Sequence, residues 1–298
     1  MTRKRNRLLT VGFALLSIAT LINETSAVQA GSTIFTSIDF PNAIRTGGPQ
    51  SWLGIDPRAD IVGAYRTADN AIHGFLRRGN EYTSFDHPSS TAGTFANAIN
   101  PEGDIAGGYF AGAFAHSYVL RKGAFNSFDP PGAMISFALG INAGGEIVGA
   151  YNTGSTSITT GSRGYLLRNG EFTSIDIPGA IYTWAMGINS KGAIVGRYQS
   201  GDGTVHGYLL HQNIVALLDF PNSVFTDARA INPRGDVVGT YQSADGKFHA
   251  FLLRGGEFTS IDFPGAVATY GQGINPQRDV VGSYMTADGK FHGFFLVS

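Results

Sequence analysis

Residues 226–263 read TDARAINPRGDVVGTYQSADGKFHAFLLRGGEFTSIDF, and this stretch decides the fold. Four short apolar runs alternate in it with groups of turn-forming residues. Asp245-Gly246 is a strong hairpin signal between the second and third runs, and Gly255-Gly256 makes a two-residue turn between the third and fourth. Pro264-Gly265 then stops the last run. The stretch therefore predicts four consecutive antiparallel strands, at 228–232, 237–243, 248–253 and 258–263.

The same pattern recurs six times and nearly fills the chain of 298 residues. Its plainest marker is an aspartate two residues before a proline, and successive copies lie 43 or 47 residues apart. Self-similarity at this period is typical of propellers, solenoids and arrays, and four short strands per repeat are typical of a β-propeller blade. The marker aspartates are Asp39, Asp86, Asp129, Asp176, Asp219 and Asp262, and a second marker, apolar-apolar-Gly-x-Tyr, ends at Tyr65, Tyr109, Tyr151, Tyr198, Tyr241 and Tyr284.

We therefore expect an all-β fold, a six-bladed β-propeller with four antiparallel strands per blade. The last repeat stops after its third strand, whereas residues 35–41 form an unattached fourth strand near the start. We expect this N-terminal strand to complete the C-terminal blade and close the ring, so that no blade lacks an edge strand. The alternative is a linear β-solenoid or repeat array. The predicted blades form a single domain within residues 31–298 and cover residues 44–88, 93–131, 135–178, 182–221, 225–264 and 268–298.

The first thirty residues have the pattern of a signal peptide. A basic segment at residues 3–7 precedes a mostly apolar run at residues 8–22, and a polar stretch ends in Ala30. We predict cleavage after Ala30, with Ala27 as the alternative site. The apolar run is shorter than the ~20 residues of a membrane-spanning helix, so we expect no span after cleavage, an uncleaved anchor being the alternative. The protein is therefore predicted to be exported, to the periplasm or the extracellular space.

Charge and cysteine content narrow the classes of partner. Without residues 1–30 the chain has 17 Lys and Arg against 21 Asp and Glu, so no basic excess indicates nucleic acid. The chain has no cysteine, so an exported form gains its stability from core burial and ring closure, not from disulfides. Asp202, Asp245 and Asp288 offer one carboxylate per hairpin turn, whereas Ca²⁺ takes ~6–8 oxygen ligands. We expect a monomer without metal or cofactor.

A histidine and an aspartate recur thirteen residues apart on the third and fourth strands. With the two-residue turn Gly255-Gly256, His249 lies directly opposite Asp262, where Cβ atoms are ~4.5–5.5 Å apart. Such a pair suits catalysis or metal binding as well as a hydrogen bond between strands. Because the pair recurs in every copy and one copy has arginine, we interpret it as structural. The pairs are His73–Asp86, His116–Asp129, Arg163–Asp176, His206–Asp219, His249–Asp262 and His292–Asp39.

Glycine recurs inside the second strand, where it normally weakens a strand. We expect that a neighbouring backbone or a bulky ring approaches each of these positions too closely for a side chain. The glycines are Gly63, Gly107, Gly149, Gly196, Gly239 and Gly282.

Two short motifs resemble a known family. His249-Ala250-Phe251 and its equivalents His73-Gly-Phe, His206-Gly-Tyr and His292-Gly-Phe recur in phase with Gly-Ile-Asn, as at Gly140–Asn142. Together they resemble the probable extracellular repeats of the bacterial HAF family, over nearly all of residues 31–298. The resemblance implies export and a repeat architecture, but no established activity or catalytic residue. The third repeat departs from the motif, because Arg163 replaces the histidine.

Candidates for function are residues that break the repeat on the face that carries the second-to-third loops, because binding residues usually lie on loops held by a rigid scaffold. Residues 152–162 lengthen this loop in the third repeat with Ser and Thr. The candidate ligand-binding residues are Trp52, His87, Trp184, Arg197 and Tyr270.

Each candidate also has a structural interpretation. Trp184 and Tyr270 stand where most repeats have an aromatic residue, which also suits the core, whereas Trp52 is out of phase with them. His87 also fits a solvated loop residue, and Arg197 fits a channel residue or the partner of a carboxylate. The long loop also fits neutral drift, because insertions in surface loops cost little.

Two classes of function remain. The first is a non-catalytic binding or scaffold protein that recognises a glycan or protein ligand on one loop face. The alternative is an extracellular polysaccharide hydrolase or lyase with a propeller fold, which needs paired carboxylates that do not repeat. The acidic residues mostly repeat in phase, and no nucleophile or zinc motif appears. The sequence therefore favours binding and indicates no catalytic residue.

Overall fold

The computed structural model of the protein describes residues 34–49 and 51–297. The predicted signal peptide, residues 1–30, lies outside them. The described residues form strands joined by turns, and none of them belongs to a helix that could cross a membrane. The fold is therefore all-β.

Short strands follow one another along the whole described chain. Most have five to eight residues, as apolar runs between Gly, Asn and Asp turns predict. The strands are β1 (Ile34–Ile38), β2 (Arg45–Thr46), β3 (Gly54–Ile55), β4 (Ile61–Arg66), β5 (Ile72–Arg78), β6 (Glu81–Phe85), β7 (Thr94–Ile99), β8 (Ile105–Ala111), β9 (Phe114–Arg121), β10 (Ala124–Phe128), β11 (Ile135–Ile141), β12 (Ile147–Asn152), β13 (Arg163–Arg168), β14 (Glu171–Ile175), β15 (Tyr182–Ile188), β16 (Ile194–Gln199), β17 (Val205–His211), β18 (Ile214–Leu217), β19 (Thr226–Ile231), β20 (Val237–Gln242), β21 (Phe248–Arg254), β22 (Glu257–Ile261), β23 (Ala268–Ile274), β24 (Val280–Met285) and β25 (Phe291–Val297).

The strands pair antiparallel with their sequence neighbours, and each sequence repeat forms one unit. Unit one comprises β2–β6, because its first strand is split into β2 and β3; units two to five comprise β7–β10, β11–β14, β15–β18 and β19–β22. Units two and three belong to one eight-stranded sheet, joined by a parallel bridge between Ala115 and Ile135. Unit six consists of β23–β25 and β1.

The first described strand supplies the fourth strand of unit six. β1 pairs antiparallel with β25 from Ile34 opposite Val297 to Ile38 opposite Gly293. The strand is shorter than the predicted residues 35–41, because the chain turns after Ile38 towards unit one. The two ends of the described chain therefore lie side by side.

The first strand of each unit from two to six contains a β-bulge that explains the recurrent glycines. In unit five the register shifts between Ala228 and Ala230, which turns the carbonyl of Asp227 towards β20. A Cβ on Gly239 would lie 2.1 Å from that carbonyl oxygen and 2.7 Å from the Phe251 ring. A side chain cannot fit there, as the sequence predicts for this position.

The first strands of all units line one narrow cavity of about 80 Å³. Small residues allow the strands to approach: a Cβ on Gly273 would lie 2.7 Å from the Leu53 oxygen, and one on Gly187 would lie 2.8 Å from the Arg229 oxygen. The equivalent position in the first strand of every unit is Gly or Ala: Gly54, Ala98, Gly140, Gly187, Ala230 and Gly273. We call this cavity the channel.

The hydrophobic core lies between neighbouring units. Val148 and Ile175 of unit three pack with Ile194 and Tyr208 of unit four in one buried cluster. Val281 of unit six packs in the same way with residues of unit one. At these junctions the apolar faces of neighbouring sheets are therefore buried against each other.

Candidate binding site at the channel mouth

The structure brings three of the predicted ligand-binding residues into contact at one end of the channel. The ring centroids of Trp52, from unit one, and Trp184, from unit four, lie 6.4 Å apart. The Arg197 guanidinium lies 4.0 Å from the centre of the Trp184 ring, within the range of a cation–π contact. We call this cluster and its polar neighbours the mouth site.

A buried ionic network supports the mouth site. Asp227 Oδ2 accepts hydrogen bonds from Arg197 Nη1 at 3.1 Å and from Arg229 Nε at 2.7 Å. The Asp227 side chain is fully buried and that of Arg229 nearly so. Two guanidinium groups thus share one carboxylate, which leaves the network with one excess positive charge. Because a buried charge is costly unless it is paired, this network fixes the geometry of the mouth.

The segment between β2 and β3 carries Trp52 across the channel mouth. Arg229 Nη2 donates to the carbonyl of Pro49 at 3.2 Å, and Gln272 Nε2 donates to the carbonyls of Gly48 and Ser51, each at 2.9 Å. Side chains of units five and six therefore hold a segment of unit one. These bonds position the Trp52 ring, which remains partly exposed.

The long loop of unit three folds onto the same place. Trp184 Nε1 donates to the carbonyl of Ile158 at 3.1 Å and to Ser162 Oγ at 2.9 Å. Asn152 Nδ2 donates to the carbonyls of Ser157 and Thr160. The loop is therefore pinned beside Trp184, with several exposed hydroxyl groups next to the mouth site.

Several polar atoms of the mouth site are buried without a hydrogen-bond partner among the described residues. Burial without a partner costs ~1–3 kcal/mol for each group, and each such group in a folded protein calls for an explanation. The atoms are Trp52 Nε1, Arg197 Nε, Asp227 Oδ1, Arg229 Nη1 and Gln272 Oε1. Donors and acceptors both occur, so the site can hold a ligand rich in hydroxyl or amide groups.

Trp184 and Tyr270 are themselves core residues, each 6% exposed. Tyr270 stacks on Phe248 with centroids 5.5 Å apart. Burial raises the pKa of Tyr270, and Arg229 opposes the shift. Both aromatic residues therefore form the floor of the mouth site and not an exposed platform, which agrees with their alternative interpretation.

His87 lies outside the mouth site, and its interpretation as a solvated loop residue is wrong. It is 6% exposed and stacks on Tyr109 with ring centroids 3.6 Å apart. Its Nδ1 accepts from the Ser89 amide, and its Nε2 lies 3.0 Å from Ser127 Oγ. Burial lowers the pKa of His87, and His116 lowers it further. The aromatic stacking explains the burial, because a neutral imidazole fills the place of a ring.

The repeated cationic residues and aspartates meet across the third and fourth strands. His249 Nδ1 lies 2.7 Å from Asp262 Oδ1, and in the pair between the chain ends His292 Nδ1 lies 2.9 Å from Asp39 Oδ2. The other histidine pairs have equal geometry, 2.7–2.8 Å in His73–Asp86, His116–Asp129 and His206–Asp219, and Arg163–Asp176 forms an ion pair at 3.3 Å. The side chains of these pairs are partly exposed, and each pair belongs to a different unit. Their structural role stays our prediction.

The turn aspartates cap hairpins. Asp245 Oδ1 accepts from Ser243 Oγ at 2.5 Å, and Asp202 and Asp288 accept from the corresponding hydroxyls of Ser200 and Thr286. These hydroxyl bonds lower the pKa of each carboxyl. Among residues 34–49 and 51–297, no three His, Asp or Glu side chains converge as a metal site would require.

Sequence reasoning missed three residues of the mouth site: Asp227, Arg229 and Gln272. Their signal was present, because Asp227 replaces the aromatic residue found at Trp184 and Tyr270. Arg229 and Gln272 occupy the β-bulges of β19 and β23, whose side chains face the channel mouth. The apolar pattern does not indicate where a bulge lies, so it could not predict that the Arg229 and Gln272 side chains face the channel mouth.

The architecture of the chain is similar to that of solved β-propellers. A mutant of AofleA from Arthrobotrys oligospora in which three arginines are replaced by alanine has a TM-score of 0.54 at 14% identity, over 91% of this chain and 88% of that one. A point mutant of the Aleuria aurantia lectin in complex with Fucalpha1-6GlcNAc has a TM-score of 0.52 at 11% identity, over 84% and 91%. The β-propeller domain of the Trilobed protease from Pyrococcus furiosus has a TM-score of 0.52 at 13% identity, over 83% and 93%.

These likenesses show a β-propeller fold. No model of a protein family matches the chain, and no curated protein matches it. The resemblance to the HAF repeats therefore stays a prediction.

Proposed function

We propose that this protein is an exported, non-catalytic binding protein that recognises a glycan at the mouth site. We also propose that its units form a closed, six-bladed propeller. The signal-peptide pattern of residues 1–30 supports export.

Contacts between the first and last units support the closed ring. The Gly273 position in unit six abuts the Leu53 carbonyl of unit one, as closely as Gly187 abuts Arg229 between units four and five. One cavity is lined by first strands from every unit, which a linear array would not produce. The blade number then equals the number of sequence repeats.

The observation that carries the proposed binding is the set of unpartnered polar atoms around Trp52. Because Trp52 Nε1, Arg197 Nε and Asp227 Oδ1 are buried, a hydroxyl-rich ligand reaches them by displacing the side chains that cover them, and its hydrogen bonds then recover the cost of their burial. The partly exposed Trp52 ring supplies an apolar face for a sugar ring. The hydroxyls of the pinned loop extend this surface.

A glycan is favoured over a protein ligand because the site is small and polar. A protein partner needs about 800 Å² of contact surface on each side, with a central aromatic anchor pocket. The mouth site offers one part-exposed ring inside a polar network. The structural neighbours include the Aleuria aurantia lectin and the SapL1 lectin, which agrees with a glycan but shows only the fold.

The test is calorimetric titration of the full-length protein with a panel of bacterial and plant oligosaccharides. We compare wild type with Trp52→Ala and Arg197→Gln, and expect each change to weaken binding about tenfold or more, since each removes a central contact of a small site. Arg234→Gln is the matched control, because Arg234 is exposed in the turn at the opposite ends of the strands. Its affinity should equal that of wild type.

Three results would contradict the proposal. The proposal is wrong if the protein binds none of the glycans. It is also wrong if both mouth-site variants bind a glycan as tightly as wild type does. Cleavage of a bound oligosaccharide in the same samples, lost in Asp227→Asn, would replace it with the hydrolase or lyase interpretation. Thermal unfolding of each variant identifies any loss that is due to misfolding.

A further inference from the structure

One cavity of the described chain lies away from the mouth site, in the groove between units three and four. Its volume is about 590 Å³, which is within the usual range of small-molecule sites. Leu166 and Ile175 of unit three and Ile194 and Leu210 of unit four form its apolar walls. The groove opens beside the turns that join first to second and third to fourth strands, at the opposite ends of the strands from Trp52.

This groove is open because unit four lacks an aromatic residue that the other units have. The second residue of the fourth strand is Phe or Tyr in the other units and Val215 in unit four. In the other units this ring packs against the preceding unit, as Phe125 does against Phe85 and Phe172 against Phe128, with centroids 6.2 and 6.4 Å apart. The corresponding rings are Tyr82, Phe125, Phe172, Phe258 and Phe35.

Unit four departs from the repeat at three more positions, and two of them, His211 and Asn213, line the groove. Ala193 replaces an acidic residue that precedes the second strand in the other units, and His211 replaces the arginine that pairs with it in units one to three. Asn213 occupies the second turn position at a φ of 65°, where units two, three and five have glycine. Asparagine tolerates this left-handed conformation and adds an amide to the rim.

Three of these departures lie at the cavity: Val215 packs with the residues of its apolar walls, and His211 and Asn213 line its rim. Ala193 lies on the opposite face of the sheet, where it packs with Val195 against unit five, so it does not contribute to the groove. The walls of the groove are largely aliphatic, and its rim carries the amides of Gln212 and Asn213 together with charged side chains, namely Arg168, Glu171 and Lys191.

We propose that this groove binds a hydroxylated aromatic ring, the chemistry of a phenol. The fold itself shows that an aromatic ring fits this position, because the other units fill it with their own Phe or Tyr side chain. Tyr82 shows that a phenol is accommodated, with its ring 5.6 Å from that of Phe40. In the open groove the aliphatic walls contact the ring face, and the rim amides receive or donate the hydroxyl hydrogen bond. The ligand comes either as a free phenol or as the tyrosine side chain of a peptide.

The test is calorimetric or NMR titration of the full-length protein with 4-methylphenol and with N-acetyltyrosinamide. We expect saturable binding of one or both, with tighter binding of the amide if the natural ligand is a tyrosine side chain and tighter binding of the cresol if it is a free phenol. Val215→Phe, which restores the ring of the other units, should weaken binding about tenfold or more by filling the space. Ile214→Phe is the matched control, since its exposed side chain lies on the other face of the strand.

A second variant keeps the proposal testable if Val215→Phe does not fold. Asn213→Gly installs the residue that other units use in this turn and removes one rim amide, so it should weaken 4-methylphenol but not toluene. The proposal is overturned if neither phenol binds, if Val215→Phe binds as wild type does, or if toluene or methyl glucoside binds as tightly as 4-methylphenol. None of these readouts depends on glycan binding at the mouth site.

Discussion

At the residue scale, the position after each repeated aspartate shows how one site tolerates different side chains. Phe40, Phe220 and Phe263 stack on the tyrosine of the following unit with ring centroids 3.5–3.7 Å apart. His87 makes the same contact with Tyr109 at 3.6 Å. An imidazole can replace the phenyl ring only while it is neutral, because its Nδ1 accepts a hydrogen bond from the Ser89 amide.

The change His87→Phe should therefore reduce the sensitivity of the protein to acid. Burial holds the pKa of His87 below its usual value, so the unfolded chain takes up a proton first as the pH falls below about 6.5. This preference favours the unfolded state, and the stability that depends on neutral His87 is lost between that pH and the lower pKa of the folded state. We expect the fall in free energy of unfolding between pH 7.5 and pH 5, measured by urea titration, to be smaller in the variant.

The exposed His211 offers the matched control. His211→Asn removes a histidine from an exposed position and serves as the comparison. An equal pH dependence in wild type and His87→Phe would contradict the buried, neutral state of His87.

At the scale of the strand, the second strand of units two to six is shaped by the bulge of the first. The bulge directs a carbonyl at the glycine of the second strand, and an aromatic ring of the third strand covers the other side. At Gly282 a Cβ would lie 2.0 Å from the Tyr270 oxygen and 2.6 Å from the Phe294 ring. Neither neighbour can move without displacing the strands that line the channel.

The change Gly282→Ala should lower the free energy of unfolding by about 3 kcal/mol or more, at the upper end of overpacking effects. Gly201→Ala is the control, because no atom lies within 4 Å of its Cβ position and its φ is not in the left-handed region. We expect the control to be within about 0.5 kcal/mol of wild type, as for most surface changes. Urea denaturation measures both, and equal stabilities would disprove the steric role of the glycine.

At the scale of the whole molecule, β1 and β25, at the two ends of the described chain, pair like the strands of a hairpin but are not joined by a turn. Val297 and Ile34 are paired partners, as Arg254 and Glu257 are around Gly255-Gly256. A two-residue Gly-Gly link between Val297 and Ile34 would thus reproduce the turn that other units have. β1 also buries Ile38 in the cluster shared with unit one.

A circular permutant that joins Val297 to Ile34 through Gly-Gly, and opens the chain between Pro41 and Asn42, should fold with an unfolding midpoint at or above that of residues 34–297. The link removes chain entropy from the unfolded state at no cost in native contacts. The same permutant without residues 34–41 should lose its cooperative thermal transition, because unit six would lack a strand and expose an edge. Equal midpoints for the two permutants would contradict the role of β1.

Much of this molecule can be predicted from its sequence. Asp245-Gly246 and Gly255-Gly256 place the hairpins, and the counted register brings His249 to Asp262 at 2.7 Å. Gly239 signals a close contact that the structure places at the Asp227 carbonyl. These features depend on residues near in sequence, where turn chemistry and strand alternation determine geometry.

What the sequence alone determined is the repeat, its strands and the residues that interrupt it. Only the tertiary structure decided which interruptions meet: Trp52 reaches Trp184 and Arg229 from other units, and His87 does not join them. It likewise decided that Asn213 and Val215 lie at one groove. The physical reason is that local patterns specify each unit by itself, whereas a site between units depends on how the units pack around the channel and on the direction of bulged side chains, which no local pattern carries.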